Sequence, residues 1–256
     1  MSPKWMEKEK KWILKHKEKL SRAFMEKPRQ IHLRQAIPDK GVIIIMGDRR
    51  KGKTGLACQI MDLKHRTANL PGAVCYPEKL VKLRNLLPSW VTVVTSLKDL
   101  PAKSVCLVDE ASQVAHARRT QTQDALDLES LVALSEQKDQ LILFITHHSR
   151  KFDINDVHGS NLIVWKKPSY ADTIWEREEL QKFVLRAREI FDQEKSVSKQ
   201  LRLCYAMNLR DFNFYTFTNG LPDWWSHDLS TVFKYFENGY HNKAKRKKAK
   251  AKKGAK

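Results

Sequence analysis

The sequence predicts an α/β fold in which a mostly parallel sheet is flanked by helices. Residues 41–47, GVIIIMG, form a continuous apolar run, which is typical of a strand covered on both faces of a parallel sheet. Further short apolar runs follow it, with helical patterns between them. Strands that alternate with helices build parallel sheets through right-handed crossovers, so both observations favour this fold class.

The predicted elements continue that alternation along the chain. We expect strands over 41–47, 72–76, 91–96, 104–111, 141–148 and 161–167. We expect helices over 53–66, about 124–138 and 174–195, the last with a long amphipathic pattern. Ahead of them, residues 4–26 are predicted to form a charged surface helix, and Pro28 and Pro38 mark a linker.

The loop after the first core strand has the pattern of a phosphate-binding (Walker A) loop. Residues 47–54, GDRRKGKT, fit G-x-x-x-x-G-K-[ST] at every fixed position. In such loops the backbone N–H groups surround the phosphates, the lysine reaches the β and γ oxygens, and the Ser/Thr hydroxyl holds Mg²⁺. The predicted nucleotide-binding residues are Gly47, Asp48, Arg49, Arg50, Lys51, Gly52, Lys53 and Thr54.

Two acidic residues, Asp109 and Glu110, lie at the end of the predicted strand 104–111 and form a candidate Walker B pair. Ligands of α/β sheets bind at the carboxyl ends of the strands. Asp109 would orient Mg²⁺ through water, and Glu110 would be the general base for the attacking water. This pair favours an NTP hydrolase over a nucleotide kinase, which needs no activated water; the alternative is that two acids merely end a strand.

Thr146 and His147 end the next strand, where P-loop ATPases with an additional central strand place a polar sensor. Either residue is a candidate to contact the γ-phosphate or the attacking water. A metal site formed by His147 and His148 is a competing hypothesis, but adjacent strand residues point to opposite faces. A solvated loop start is the third interpretation.

Arg118 and Arg119 follow the acidic strand in a polar stretch, HARR. In ring ATPases an arginine of one subunit completes the neighbour's site and stabilises charge on the transferred phosphoryl group. Contact with DNA phosphates and surface ion pairing are the alternatives. The sequence does not favour one arginine over the other.

Taken in order, the motifs GDRRKGKT, CLVDEAS, HARR and LILFITHHS resemble those of the FtsK–HerA superfamily of DNA-pumping ATPases. More narrowly, the chain is similar to the compact genome-packaging and Zot-like ATPases of viruses and mobile elements, over about residues 40–195. The family usually has glutamine at the end of the sensor strand, where this chain has His147. The transmembrane segment of filamentous-phage Zot proteins is not found here, which favours packaging over secretion.

The resemblance implies a RecA-like (ASCE) P-loop core that binds ATP with Mg²⁺. The preference for ATP over GTP is also implied by the resemblance. Lys53, Thr54, Asp109 and Glu110 would carry hydrolysis. The chain would assemble as a homo-oligomeric ring, a hexamer or pentamer, with double-stranded DNA in its pore. A capsid portal or another assembly protein is a further expected partner.

The formal net charge of +19 is concentrated at the two ends of the chain. Residues 242–256 contain nine Lys or Arg and no acid, and residues 1–40 contain twelve basic and five acidic side chains. The remainder, 41–241, carries only +3. Basic extensions favour binding to a polyanion such as DNA; a solubilising tail, or docking to an acidic protein, is the alternative.

These observations divide the chain into four segments. They are a basic helical N-terminal extension and linker (1–40), the P-loop ATPase core (41–195), an aromatic-rich C-terminal subdomain (196–241) and a basic tail (242–256) expected to be disordered.

The composition indicates a soluble protein of the cytoplasm, which is the host-cell cytoplasm if the protein is viral, with association with the virion as the alternative. No apolar run reaches the roughly 18 to 20 residues of a membrane span, and frequent charges in the first 20 residues exclude a signal peptide. The four cysteines are scattered without a C-x-x-C pair, which favours free thiols in a reducing compartment rather than a zinc site.

The first functional hypothesis is therefore an ATP-driven translocase of double-stranded DNA that packages or mobilises a genome. The second is a helicase or recombination ATPase that acts on single strands, whose bases would stack on a C-terminal aromatic cluster. The alternative for this cluster is that its rings pack in a small subdomain or form a docking surface. This cluster comprises Phe212, Phe214, Tyr215, Phe217, Trp224 and Trp225. The third is a nucleotide-gated DNA-binding or assembly scaffold, against which Glu110 argues because a scaffold needs no general base.

Overall fold

The computed structural model describes residues 21, 24–76, 84–108, 134–147, 157 and 159–230. Its strands are β1 (Arg29–Gln30), β2 (Gly41–Met46), β3 (Gly72–Cys75), β4 (Val91–Val94), β5 (Val105–Val108), β6 (Leu141–Ile145), β7 (Leu162–Trp165), β8 (Leu203–Asn208) and β9 (Phe214–Thr218). Its helices are α1 (Leu33–Ala36), α2 (Lys53–Ala68), α3 (Tyr170–Trp175), α4 (Glu178–Gln193) and α5 (Val197–Arg202), with a 3₁₀ turn at Leu97–Asp99.

The described strands form one sheet in the order β1-β9-β8-β7-β2-β6-β5-β3-β4. All pairs from β7 to β4 are parallel, whereas β8 runs antiparallel to β7 and β9. The predicted mostly parallel α/β fold is thus confirmed. Strand β6 lies between β2 and β5, which is the additional central strand that the sequence interpretation required.

The residues of β2 alternate between two hydrophobic clusters, one on each face of the sheet. Ile43 and Ile45 belong to the cluster that contains α2, whereas Ile44 and Met46 belong to the cluster that contains α4. Every residue of β2 is buried. Burial on both faces explains why this strand has no polar residue.

The helix expected over 174–195 is present as α4, but it begins at Glu178, because residues 174 and 175 belong to the separate helix α3. Ser169 caps α3: its side chain accepts from the N–H of Asp172, whose own carboxylate accepts from the Ser169 N–H. Glu176 and Arg177 then take extended ψ angles of 163° and 142°, which separates the two helices. The amphipathic pattern that suggested one helix belongs to α4 and packs against the sheet.

The C-terminal aromatic region contains strands of the core sheet, since β8 pairs with β7. Within it, Phe214 joins the cluster of α4 and Phe217 the cluster of α2, and both are buried. Two of the six rings proposed as stacking platforms are therefore core residues. The expected linker before residue 41 is also structured, as it contains α1 and β1, and β1 pairs in parallel with β9.

In the part of the chain that the structure describes, no helix is both long enough and apolar enough to cross a membrane. The expected N-terminal surface helix lies largely outside these residues, and the basic tail lies wholly outside them.

Candidate active site

The loop 47–52 connects β2 to α2 at the carboxyl edge of the sheet, and its backbone has the conformation that its glycines permit. Gly47 has φ 140° and Gly52 has φ 84°. A Cβ atom at Gly47 would lie 2.7 Å from the carbonyl oxygen of Lys166, on the neighbouring β7 side. Only glycine fits such a backbone approach without displacement.

The loop has the donors that an anion requires. Among the described residues, the backbone N–H groups of Arg50, Lys51 and Gly52 donate to no other group. They precede the N-terminus of α2, whose first N–H groups have no intrahelical acceptor and carry the positive end of the helix dipole. The loop therefore fits a phosphate group in both geometry and charge.

Lys53 is a charged residue, yet it is buried, with only 7% of its surface exposed. Its Nζ donates to the carbonyl oxygens of Gly47 at 2.8 Å and Asp48 at 2.9 Å. It also lies 3.2 Å from Nδ1 of His147. These contacts hold the ammonium group next to the loop whose phosphate ligand it is predicted to bind.

The structure brings His147 of the predicted sensor pair directly to this lysine. An ammonium group only donates, so the Nδ1 of His147 accepts from Lys53 in the tautomer that carries the ring proton on Nε2. Nδ1 lies 3.3 Å from the carbonyl oxygen of Gly47 as well. Thr146 is fully buried, and its N–H donates to the carbonyl of Ile45 at 3.0 Å, which joins the end of β6 to the loop strand.

The predicted magnesium ligands are only partly described. Thr54 follows Lys53 in the first turn of α2 and is half-buried. Its hydroxyl oxygen is a ligand type that Mg²⁺ accepts. Within the described ranges no group of three His, Cys, Asp or Glu residues is placed to hold a metal, and His148, the second half of the competing metal pair, lies outside them.

Asp109, Glu110, Arg118 and Arg119 also lie outside the described residues. The strand that leads to the acidic pair is described, and it ends at the expected edge. In the parallel pair of β5 and β6, Val108 is opposite Phe144, one residue before Ile145, which is opposite Ile45 of β2. The strands that lead to the loop, the sensor and the acids thus end side by side.

The sequence interpretation missed Lys166, which directly follows β7. This residue is 0% exposed, and its Nζ donates to the carbonyl oxygens of Leu201 at 2.7 Å and Leu203 at 2.8 Å and to Oδ1 of Asn219 at 2.8 Å. Its side chain lies beneath Gly52, where an added Cβ atom would be 3.5 Å from Lys166 Cε. The sequence offered no signal for it, because two adjacent lysines at the end of an apolar strand read as a solvated loop.

The segment after β9 covers the start of α2. A Cβ atom at Gly55, in the first turn of that helix, would lie 2.7 Å from Cδ2 of Leu221. Leu221 is 56% exposed beside the loop. The C-terminal strands therefore supply part of the surroundings of the phosphate loop.

No protein-family model matches the sequence, and no curated protein matches it. The genome packaging NTPase B204 from Sulfolobus turreted icosahedral virus 2, solved with ATP-gammaS, is similar in structure with a TM-score of 0.50. The two are 12% identical, and the match covers 73% of this chain and 100% of that one.

Two other solved structures are similar at lower scores. The DNA-packaging ATPase B204 from Sulfolobus Turreted Icosahedral Virus has a TM-score of 0.47 and 14% identity, over 72% of this chain and 99% of that one. EccC (ATPases 2 and 3) from Thermomonospora curvata has a TM-score of 0.45 and 10% identity, over 72% of this chain and 37% of that one. The similarity at a TM-score of 0.50 shows a shared fold: this chain has the mostly parallel α/β fold of the P-loop NTPases.

Proposed function

We propose that this chain is an ATP-hydrolysing motor that translocates double-stranded DNA during packaging or mobilisation of a viral or mobile-element genome. The observation that carries the proposal is the phosphate loop at the carboxyl edge of the sheet, where Lys53 meets His147. The fold shared with a genome packaging NTPase that was solved with ATP-gammaS supports it.

Binding of ATP follows from the loop itself. The N–H groups of Arg50, Lys51 and Gly52 donate hydrogen bonds to phosphate oxygens. The ammonium of Lys53 gives up its hydrogen bonds to the loop carbonyls and binds the β- and γ-phosphates instead. Thr54 and Asp109 are the proposed ligands of Mg²⁺, which neutralises charge on the phosphates when it is bound.

For hydrolysis, Glu110 takes the proton of the attacking water. With its Nδ1 accepting from Lys53, His147 retains Nε2–H as a donor, and we assign that donor to the γ-phosphate or to the water. Arg118 or Arg119 of a neighbouring subunit stabilises the transferred phosphoryl group.

Double-stranded DNA is the proposed cargo, and the basic segments 1–40 and 242–256 are its proposed contacts or those of assembly partners. A homo-oligomeric ring of five or six subunits would surround the duplex. The motor would act in the cytoplasm of the host cell, where a capsid portal or a related assembly protein is a further partner.

The test is steady-state ATP hydrolysis without DNA, with linear duplex and with single strands. We expect strong stimulation by duplex in the wild-type protein. Glu110→Gln should bind ATP and lose turnover because the base is missing, whereas Lys53→Ala should lose binding because the phosphates lose their cation.

Each competing function predicts a different result. Stimulation by single strands alone would identify a helicase or recombination ATPase. Tight ATP binding without turnover in any condition would identify a nucleotide-gated scaffold. Normal hydrolysis by Glu110→Gln would remove the assignment of the general base.

A further inference from the structure

Lys166 is a buried cation whose neighbours leave its charge uncompensated. Its hydrogen bonds go to two backbone carbonyls and to the neutral amide of Asn219, and the thiol of Cys204 lies 3.5 Å away. No carboxylate contacts it among the residues described. Burial lowers the pKa of the Lys166 ammonium and raises the pKa of the Cys204 thiol. The three oxygen acceptors at 2.7 to 2.8 Å match the three donors of an ammonium group, which favours the charged form of the lysine.

A buried lysine is an uncommon choice where packing alone is needed. Lysine is rarely found fully buried without an ionic partner, because removing an ammonium from water is costly. A methionine of similar length would fill the same space at no such cost. The chain keeps the charge at this position, which calls for a role that an apolar side chain lacks.

The position of the charge indicates that role. Nζ of Lys166 would lie 4.0 Å from a Cβ atom at Gly52, the N-cap residue of α2, so the ammonium is next to the last residue of the phosphate loop. The carbonyl of the same residue is the backbone surface that Gly47 approaches. Lys166 thus borders both glycines of the loop.

We propose that Lys166 is a positioning residue of the nucleotide site: it fixes the phosphate loop against α5 and the segment after β9, and its buried charge attracts the ligand's phosphates without touching them. The proposal rests on the proposed nucleotide binding. In a partly buried site an uncompensated charge close to an anion changes affinity by about tenfold. The effect must grow with the number of phosphates on the ligand.

Lys167→Met is the matched control for Lys166→Met. Lys167 is the adjacent lysine, but its Nζ is paired with Asp192 at 2.9 Å and its side chain is 16% exposed. We expect calorimetric titration of Lys166→Met to show about tenfold weaker ATP binding and a smaller loss for ADP and then AMP. Lys167→Met should change ATP affinity less than about twofold.

Asn219→Asp gives a second test that keeps the lysine in place. The new carboxylate accepts the same hydrogen bond from Lys166 but cancels its charge, and it loses the bond that Asn219 Nδ2 donates to the carbonyl of Gly220 at 2.7 Å. The urea midpoint of unfolding identifies the folded variant, in which ATP affinity should fall by a larger factor than ADP or AMP affinity. This variant decides the question even if Lys166→Met does not fold.

Two results would show that Lys166 has a structural role only. One is an equal loss of affinity for ATP, ADP and AMP in Lys166→Met. The other is ATP binding by Asn219→Asp that is as tight as in the wild type. Failure of the wild-type protein to bind any nucleotide would instead overturn the proposed function, and this inference with it. Wild-type binding that is lost in Lys53→Ala but unchanged in Lys166→Met would overturn the positioning role alone.

Discussion

Substitution of Gly47 by alanine tests whether the phosphate loop depends on close backbone approach. The residue has φ 140°, a conformation that side-chain-bearing residues rarely adopt. The added Cβ would lie 2.7 Å from the oxygen and 3.0 Å from the carbonyl carbon of Lys166. Both atoms belong to the backbone after β7, so no flexible side chain can give way.

The expected penalty has two parts. A residue held in a sparsely populated backbone conformation costs about 1–3 kcal/mol, and overpacking of a tight contact costs about 1–3 kcal/mol more. Gly47→Ala should therefore lower the free energy of unfolding by roughly 2–6 kcal/mol, unless the loop relieves the clash by moving away from Lys166. Either response displaces the N–H groups that bind phosphate, so ATP affinity should fall in both cases.

The assay is urea denaturation followed by circular dichroism, together with titration of ATP into the folded variant. Gly220→Ala is the control, because its added Cβ would lie 3.4 Å from Oε1 of Gln59, at ordinary contact distance. This control should stay within about 0.5 kcal/mol of the wild type. Gly47→Ala with wild-type stability and wild-type ATP affinity would refute the reasoning.

Three further outcomes are expected. Phe191→Ala removes a fully buried ring and should lower the free energy of unfolding by about 3–5 kcal/mol in chemical denaturation. Its control is Leu185→Ala, at a side chain that is 46% exposed, which should lower it by less than about 1 kcal/mol. Equal losses in the two variants would contradict the assigned burial. All four cysteines are buried, and burial raises the pKa of Cys106 to about 11, so a thiol reagent at pH 8 should label the native protein slowly and the urea-unfolded protein fully. Rapid native labelling would be the contrary result. Deletion of 242–256 should weaken duplex affinity and flatten its dependence on salt, leaving basal ATP hydrolysis unchanged; an unaltered salt slope would assign the tail to another partner.

The parts of the fold that the sequence predicted well are those where one physical requirement dominates. Strand β2 is buried on both faces, which leaves only apolar residues at 41–47. The loop needs Gly47 and Gly52 for backbone reasons and Lys53 for charge. Requirements of this kind restrict the residue types at fixed positions, so they can be recognised in the sequence.

Features that depend on contacts distant in sequence were missed. The break between α3 and α4 was hidden because Ile174 and Trp175 continue the apolar pattern, yet both are exposed, at 68% and 64%. Likewise, Lys166 has the same residue type as Lys167 beside it. Their surroundings differ through residues distant in sequence: Lys166 donates to Leu201, Leu203 and Asn219, whereas Lys167 is paired with Asp192.

The same long-range contacts bear on where the catalytic unit ends. The sequence placed a boundary at residue 195, but the acceptors that satisfy Lys166 all come from residues after it. Leu221, which covers the first turn of α2, also lies beyond that boundary. A chain ending at 195 would lack these acceptors and would expose Lys166, the neighbour of Gly52, to water. Strands β8 and β9 are therefore as much a part of the candidate site as the loop they support.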